Sequence, residues 1–316
     1  MRKILVLIIV FAVFFLIMGA WWKNGLSPVN SKDSTTYDFV IPKGSAVRVV
    51  GNKLKEQGLI KDPVVFFVYI KKNNLDKAIQ AGSYKLSPSM DLPTVLKTLG
   101  SGSEDIWVTI PEGYRAAEIA EVLEKSLETY EPSWVDALEL QEGYLFPDTY
   151  LIPKGADVET VISIMKNTFN EKVKSIGLSA DDPDLKRVVI IASLIEREAI
   201  RDDEKKMISS VIANRLEDGM SLDIDATLQY IRGKDASGNW WPVPTGDDKA
   251  LNSFYNTYKN PGIPPGPISN PGIEAIRAAA NPASSDYYFY IHDMEGNVHF
   301  AKNLTEHNTN VNRYLR

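Results

Sequence analysis

Residues 4–22 read ILVLIIVFAVFFLIMGAWW, a run with no charged side chain. As a helix rising ~1.5 Å per residue it spans about 28 Å, close to the ~30 Å hydrocarbon thickness of a bilayer. Arg2 and Lys3 precede it, and Trp21 with Trp22 closes it, where aromatic side chains favour the lipid–water interface. A cleaved leader has a shorter apolar stretch and small residues at its cleavage point. The run is therefore expected to remain as a transmembrane anchor over residues 1–23, a single pass in the cell (inner) membrane. Positive residues stay inside, so Arg2 and Lys3 are expected in the cytoplasm and the rest of the chain outside it.

With Arg2 and Lys3 set aside, 33 basic residues face 41 acidic ones, a formal charge of −8 on the exported part. That balance argues against nucleic-acid binding and against bulk attraction to anionic lipid. Cysteine is absent, which excludes a disulfide scaffold, a thiol nucleophile and an iron–sulfur cluster. His292, His299 and His307 have no metal-ligand spacing, so no metal is expected. No GxSxG elbow, GxGxxG turn or P-loop is present, and no cofactor is expected.

Residues 24–36 (NGLSPVNSKDSTT) are polar and turn-rich and read as a flexible linker. An internal repeat follows. Phe39-Val-Ile-Pro-Lys-Gly44 and Val108-Thr-Ile-Pro-Glu-Gly113 stand 69 positions apart, each a β-branched strand, a glycine turn and an amphipathic helix. The first copy continues with helices near 63–72 and 92–99 and a strand near 81–86, a small α+β module over 37–103 ending in a Gly100-Ser-Gly-Ser103 linker. Residues 104–316 read as one larger mixed α+β domain. Helices are expected near 158–175, 183–199, 204–218 and 271–280, and a strand near 287–292 leads into a hairpin. Eight of the 18 prolines fall in 242–282, an irregular stretch of the length that usually serves function.

With thiols and metal sites excluded, carboxylates remain as the chemical groups. Val188 to Ile195 carry no charge and run directly into Glu196. A helix apolar all round is buried all round, so Glu196 is expected to be partly desolvated, with a raised pKa suited to a general acid. The competing reading is a salt-bridged helix end, with Arg197 and Arg201 as partners. Glu198 fits that reading better, being surrounded by charge. Tyr230, Trp240, Trp241, Phe254, Tyr255 and Tyr258 cluster after Asp225 and Thr227, with Asn252 and Asn256 among them. Aromatics beside amides and carboxylates suit sugar rings; a packed loop core is the alternative. A desolvated Glu and an aromatic loop outside the membrane point to glycan cleavage.

Several motifs stand in one order. They are Glu142-Gly-Tyr-Leu-Phe-Pro-Asp-Thr-Tyr150, Ile191-Ala-Ser-Leu-Ile-Glu-Arg-Glu198, Val211-Ile-Ala-Asn-Arg-Leu216, Leu222-Asp-Ile-Asp-Ala-Thr-Leu-Gln-Tyr230, Tyr255-Asn-Thr-Tyr258 and Gly262-Ile-Pro-Pro-Gly-Pro-Ile268. With them the chain resembles the MltG (YceG-like) family of membrane-anchored endolytic murein transglycosylases. The resemblance implies a LysM-like module over 37–103, a catalytic domain over 104–316 and Glu196 as the catalytic acid. It implies cleavage between MurNAc and GlcNAc in nascent glycan strands, with a 1,6-anhydro product and limitation of strand length. Penicillin-binding synthases of the elongation machinery are the implied partners. Asn214, Arg215, Asp225, Thr227, Tyr230, Tyr255, Asn256 and Tyr258 are candidates for substrate placement, with Glu142 and Asp148 behind them. Ala226 stands where the family often has Pro, and the 233–248 insert is variable. Two other readings stay open: a hydrolase pairing Glu196 with Asp223 or Asp225, and a non-catalytic glycan-binding scaffold.

Overall fold

The computed structural model describes residues 2–42, 44–75, 79–102 and 105–316, with backbone alone for residues 2–6. Contacts divide the chain into two compact units, Met1–Trp107 with Leu151–Lys154, and Val108–Tyr150 with Gly155–Arg316. The expected linker residue Ser103 and the expected boundary residue Glu104 lie outside the described residues.

The first unit begins with α1 (Arg2–Leu26), whose stretch Leu7–Leu26 is long and apolar enough to cross a membrane. Then come β1 (Tyr37–Ile41), α2 (Val47–Glu56), α3 (Pro63–Asn73), β2 (Gly82–Leu86) and α4 (Leu92–Gly100). β1 and β2 pair antiparallel, Tyr37 opposite Leu86 and Ile41 opposite Gly82. Strand side chains alternate between faces, so Phe39, Ile41, Tyr84 and Leu86 share the inner one. They bury against Val50 and Leu54 of α2, Val65, Phe66 and Ile70 of α3, and Val95 and Leu99 of α4. Asp62 and Asp91 start α3 and α4 by accepting backbone N–H bonds at the first turn, each followed by a helix-starting proline.

The expected linker is not free. α1 runs through Leu26, and the next residues are tied down where Asn30 N–H donates to Pro88 O (3.0 Å) and Ser87 Oγ to Asp33 O (2.9 Å). Trp21, Trp22 and Leu26 pack on the module core, so the tryptophans expected at a lipid interface also serve as a protein contact. Composition marked this stretch as polar; the nearby module surface to which it bonds is invisible in composition.

Beyond the first unit's helices, β3 (Asp105–Thr109), α5 (Ala116–Ser126), α6 (Trp134–Glu139) and β4 (Thr149–Pro153) repeat the order strand, helix, helix, strand, with β3 paired to β4. The repeat is thus longer than the strand–turn–helix visible in sequence. Gly44 and Gly113 hold φ of +80° and +76° at matching turns, a conformation that favours glycine. The larger unit continues with α7 (Val158–Ser175), α8 (Leu185–Glu198), α9 (Lys205–Glu217), α10 (Asp225–Arg232), α11 (Ile273–Ala280), β5 (Phe289–His292), β6 (Val298–Ala301) and α12 (Leu304–Tyr314). β5 and β6 form an antiparallel hairpin.

α8 is the axis of this unit. Val189 through Ile195 are all buried, among Phe169 and Val173 of α7, Ile208 and Ile212 of α9, and Ala275 and Ile276 of α11. Each such aliphatic side chain contributes roughly 1.5–3 kcal/mol by leaving water. The hydroxyl of Ser193 is satisfied within the core, donating to Ile190 O (2.7 Å) and accepting from Ile268 N–H (3.0 Å).

Candidate active site

α8 ends in two glutamates, and a step of ~100° per residue sends them to nearly opposite sides. On one side Glu196 is committed to protein partners. Lys205 Nζ lies 3.3 Å from both of its oxygens, and the Gly272 N–H at the start of α11 donates to Oε2 at 3.0 Å. The two side chains are 9% and 5% exposed. Lys205 also meets Asp202 at 2.8 Å and Glu112 at 4.0 Å. Burial first, and the Glu196 charge second, raise the pKa of Glu112. The sequence expected a partly desolvated Glu196, and its side chain is largely buried; the competing salt-bridged reading placed Arg197 and Arg201 beside it. The partner is Lys205, because the turn after α8 folds the start of α9 back beside it.

On the other side, Glu198 lines a cavity of about 440 Å³ with Arg215, Asp223, Asp225, Tyr258, Tyr290 and His307 among the walls. Tyr290 Oη donates to Glu198 Oε2 at 2.7 Å. Burial is the main cause of a raised Glu198 pKa, and the Asp225 charge adds to it. The Tyr290 hydrogen bond, the nearby His292 and the Ala226 N–H pull the other way. The salt-bridged helix end expected for Glu198 is therefore corrected: its neighbours in sequence are charged, but its neighbours in space are a tyrosine and an opposing carboxylate.

Asp225 opens α10 and accepts the Tyr258 hydroxyl at 2.7 Å. Arg215 donates from Nε to Tyr288 O (2.6 Å) and from Nη1 to Ser221 O (3.1 Å) and Leu222 O (2.9 Å), locking the turn before α10 to the start of β5. Asp223 in that turn has φ +51°. Behind Tyr290, His292 Nε2 sits 3.1 Å from Glu204 Oε1, and Glu204 is buried. A buried carboxyl whose environment favours the neutral form, facing a second carboxyl that accepts a tyrosine hydroxyl, is an arrangement suited to proton donation onto a leaving oxygen.

A sequence model of the YceG-like family matches residues 39–313. The chain belongs to that family. It is 30% identical to an endolytic murein transglycosylase of Bacillus subtilis (strain 168), over 93% of this chain and 89% of that protein. Two Streptococcus pneumoniae proteins of the same name, from strains D39 and ATCC BAA-255 / R6, are each 29% identical over 98% of the chain, which spans 65% of their length. The crystal structure of a yceG-like protein from Listeria monocytogenes aligns with a TM-score of 0.53 at 29% identity, covering 87% of this chain and 99% of that one.

In this YceG-like protein, Arg215, Asp225 and Tyr258 are the sequence-expected residues that meet at the cavity. The others do not line it. Asn214 donates to Ser285 O and Tyr287 O, both at 2.9 Å, and fixes the approach to β5. Thr227 is buried, bonded to Ile224 O and to the Thr257 hydroxyl. Asn256 is fully buried, holds Lys249 O and Leu251 O, and accepts the Tyr258 N–H, so it shapes the loop that delivers Tyr258. Tyr230 and Tyr255 pack together, ring centroids 5.0 Å apart, with Arg115 over Tyr230. Glu142 is buried, accepting the Ala116 N–H and the Asn270 amide. Asp148 pairs with Lys172 at 3.2 Å. Trp240 and Trp241 bond to Glu121 and Glu118 of α5 and stack near Arg115 and Arg197, a packing role for the insert. Sequence reasoning set Glu198 aside as a salt-bridged residue and did not place Tyr290 or His307 at a site. The available signal was the parity of Tyr290 and His292, alternate residues on one strand face.

Proposed function

We propose that this protein is a membrane-anchored lytic transglycosylase, a lyase that cuts murein glycan strands between MurNAc and GlcNAc, with Glu198 as the acid. The observation that carries the reading is the cavity in which Glu198 is desolvated, hydrogen-bonded by Tyr290 and faced by Asp225. The names of the relatives support the substrate class. Neutral Glu198 gives its proton to the glycosidic oxygen, and positive charge develops at C1 of MurNAc. The resulting carboxylate then takes the proton of the MurNAc C6 hydroxyl, whose oxygen bonds to C1 and closes a 1,6-anhydro ring. One residue serves as acid and then base, so a pKa lifted toward the working pH favours both steps. Glu196 lies on the other side of α8 in an ion pair, which argues for a structural role there.

The apolar α1 supports an anchor, with Arg2 and Lys3 inside and the catalytic unit outside. The strand–helix–helix–strand order of residues 37–86 supports a LysM-like module, with the catalytic domain following it. Confinement near the membrane suits action on nascent strands, termination of their growth and partnership with cell-wall synthases. Asp225 in the same cavity favours one second reading, a two-carboxylate hydrolase. The test is to incubate the full chain with uncrosslinked glycan strands and identify the new ends by mass spectrometry. Anhydro ends are expected, and reducing ends would establish the hydrolase. Glu198→Gln should lower cleavage by roughly 10²–10⁴-fold and retain binding. Cleavage lost in Glu196→Gln but kept in Glu198→Gln would overturn the assignment, and binding without any cleavage would leave a scaffold.

A further inference from the structure

α3 is apolar on two faces. Val65, Phe66 and Ile70 face the module core. Val64, Phe67, Val68 and Lys71 lie at i, i+3, i+4 and i+7 on the opposite side, with Val64 56% and Val68 41% exposed. Helices that are apolar all round are normally covered all round. Here the outward stripe continues onto α2, where Val49 is 59% exposed and Arg48 lies 4.9 Å from the Phe67 ring. Between α2 and α3 runs a groove of about 280 Å³ lined by Arg48, Asn52, Pro63, Val64 and Phe67.

The same helix is fastened to α1 along its length. Trp21 Nε1 donates to Asp62 Oδ2 at 2.9 Å, at the N-terminal cap of α3. Trp22 stacks on Tyr69 with centroids 6.4 Å apart, and Lys72 lies over the Trp22 ring. Gly25 is seated so closely that a Cβ there would come within 2.5 Å of the Val65 side chain. Trp21 ends the apolar run, and the five residues from it to Leu26 rise only ~8 Å along the helix. α3 is thereby held within about one Debye length of the level at which α1 leaves the hydrocarbon.

We propose that the outward face of α3, with Val49 and Arg48 of α2, lies on the membrane surface, its valines and phenylalanine in the headgroup–acyl boundary and its cations at the lipid phosphates. Apolar residues at helical spacing beside Arg and Lys are the composition of a helix that rests in this interface. Continuity with the anchor singles out lipid over a protein partner. Residues 47–73 hold six basic side chains against Glu56 and Asp62, a local excess of +4 that acts on anionic headgroups within a screening length. The proposal rests on the reading that α1 crosses the bilayer, and it adds that the first module is oriented on that bilayer by a second contact.

The chain has no cysteine, so single-cysteine labels need no background removal. Val64→Cys, Val68→Cys, Lys85→Cys and Phe14→Cys variants of the full chain would each carry a bimane label in phosphatidylcholine–phosphatidylglycerol vesicles. Lys85 is exposed on β2, on the strand face away from the core side chains Tyr84 and Leu86, and Phe14 lies within the apolar run. Lipids spin-labelled near the headgroup should quench labels at 64 and 68 at least three-fold more than at 85, while deep-labelled lipids quench 14. Equal quenching at 64, 68 and 85 with strong quenching at 14 would overturn the proposal and leave the anchor standing. Absence of quenching at 14 would remove the anchor and the proposal together. With pyrene in place of bimane at 64, excimer emission without lipid quenching would overturn it in favour of a second copy of the chain.

Discussion

Glu198 and Tyr290 belong to elements 92 positions apart in the chain, and the 2.7 Å bond between them makes a pH-dependent prediction at the scale of single residues. The Tyr290 hydroxyl stabilises the ionised carboxylate. Tyr290→Phe should therefore raise the Glu198 pKa further and move the alkaline limb of the kcat/KM profile to higher pH, without abolishing cleavage. Glu198→Gln should lower kcat by roughly 10²–10⁴-fold, the usual worth of a positioned acid. Glu142 offers a matching test on stability. Burial lifts its pKa to about 7 from 4.5, despite the Ala116 N–H and the Arg115 charge. Because the folded-state value is the higher one, its contribution is fully present below the unfolded pKa and is lost as pH rises through about 7. The shift corresponds to about 3 kcal/mol. Glu142→Gln should flatten that part of the stability profile, as read by urea unfolding at pH 5 and pH 8; an unchanged pH slope would reject the assignment.

Elements decide which of those residues meet. α8 supplies two carboxyls from one apolar helix, and the turn at 199–204 chooses the partner of Glu196 by folding Lys205 beside it. Lys205→Met should cost roughly 3 kcal/mol, since it leaves a buried carboxylate without its cation. Glu196→Gln should cost less and leave cleavage largely intact, with denaturation and product analysis as the two readouts. A reversed order of costs would argue against the ion pair as a brace. Much of the element map was legible from sequence. The expected helix at 158–175 is α7 residue for residue, and those near 183–199 and 271–280 are α8 and α11 with ends moved by one or two positions. The signals were apolar spacing, Asp157 as a cap and proline at a helix start. α6, β4, α10 and α12 were not foreseen. α10 and α12 are short and polar, and form because Ala226, Thr227 and Leu228 pack inward or because Asn303 caps the first turn.

For the whole molecule, the apolar stretch Leu7–Leu26 of α1 sets the expected behaviour. The full chain should resist extraction from membranes by high salt and alkaline carbonate, because burial of an apolar helix, unlike a contact between exposed charges, is not screened. Release by salt alone would sink the anchor. Deleting residues 2–20 should shift the protein to the soluble fraction; retention in the membrane would show that other surfaces suffice.

The sequence by itself determined the apolar N-terminal helix, the absence of thiol and metal-ligand patterns, the mixed α+β character, the buried helix and the family. Each of these is written in composition or in spacing along a single helix or strand, where near neighbours in sequence are near neighbours in space. It also put the expected acid at Glu196, one of two carboxyls at the end of α8. Which carboxyl that is depended on what stands beside it, and those groups arrive from α9, α10, β5 and the turn before α11. Only the tertiary structure brought Lys205 to Glu196 and Tyr290 with Asp225 to Glu198, because desolvation and charge are properties of the surroundings in space.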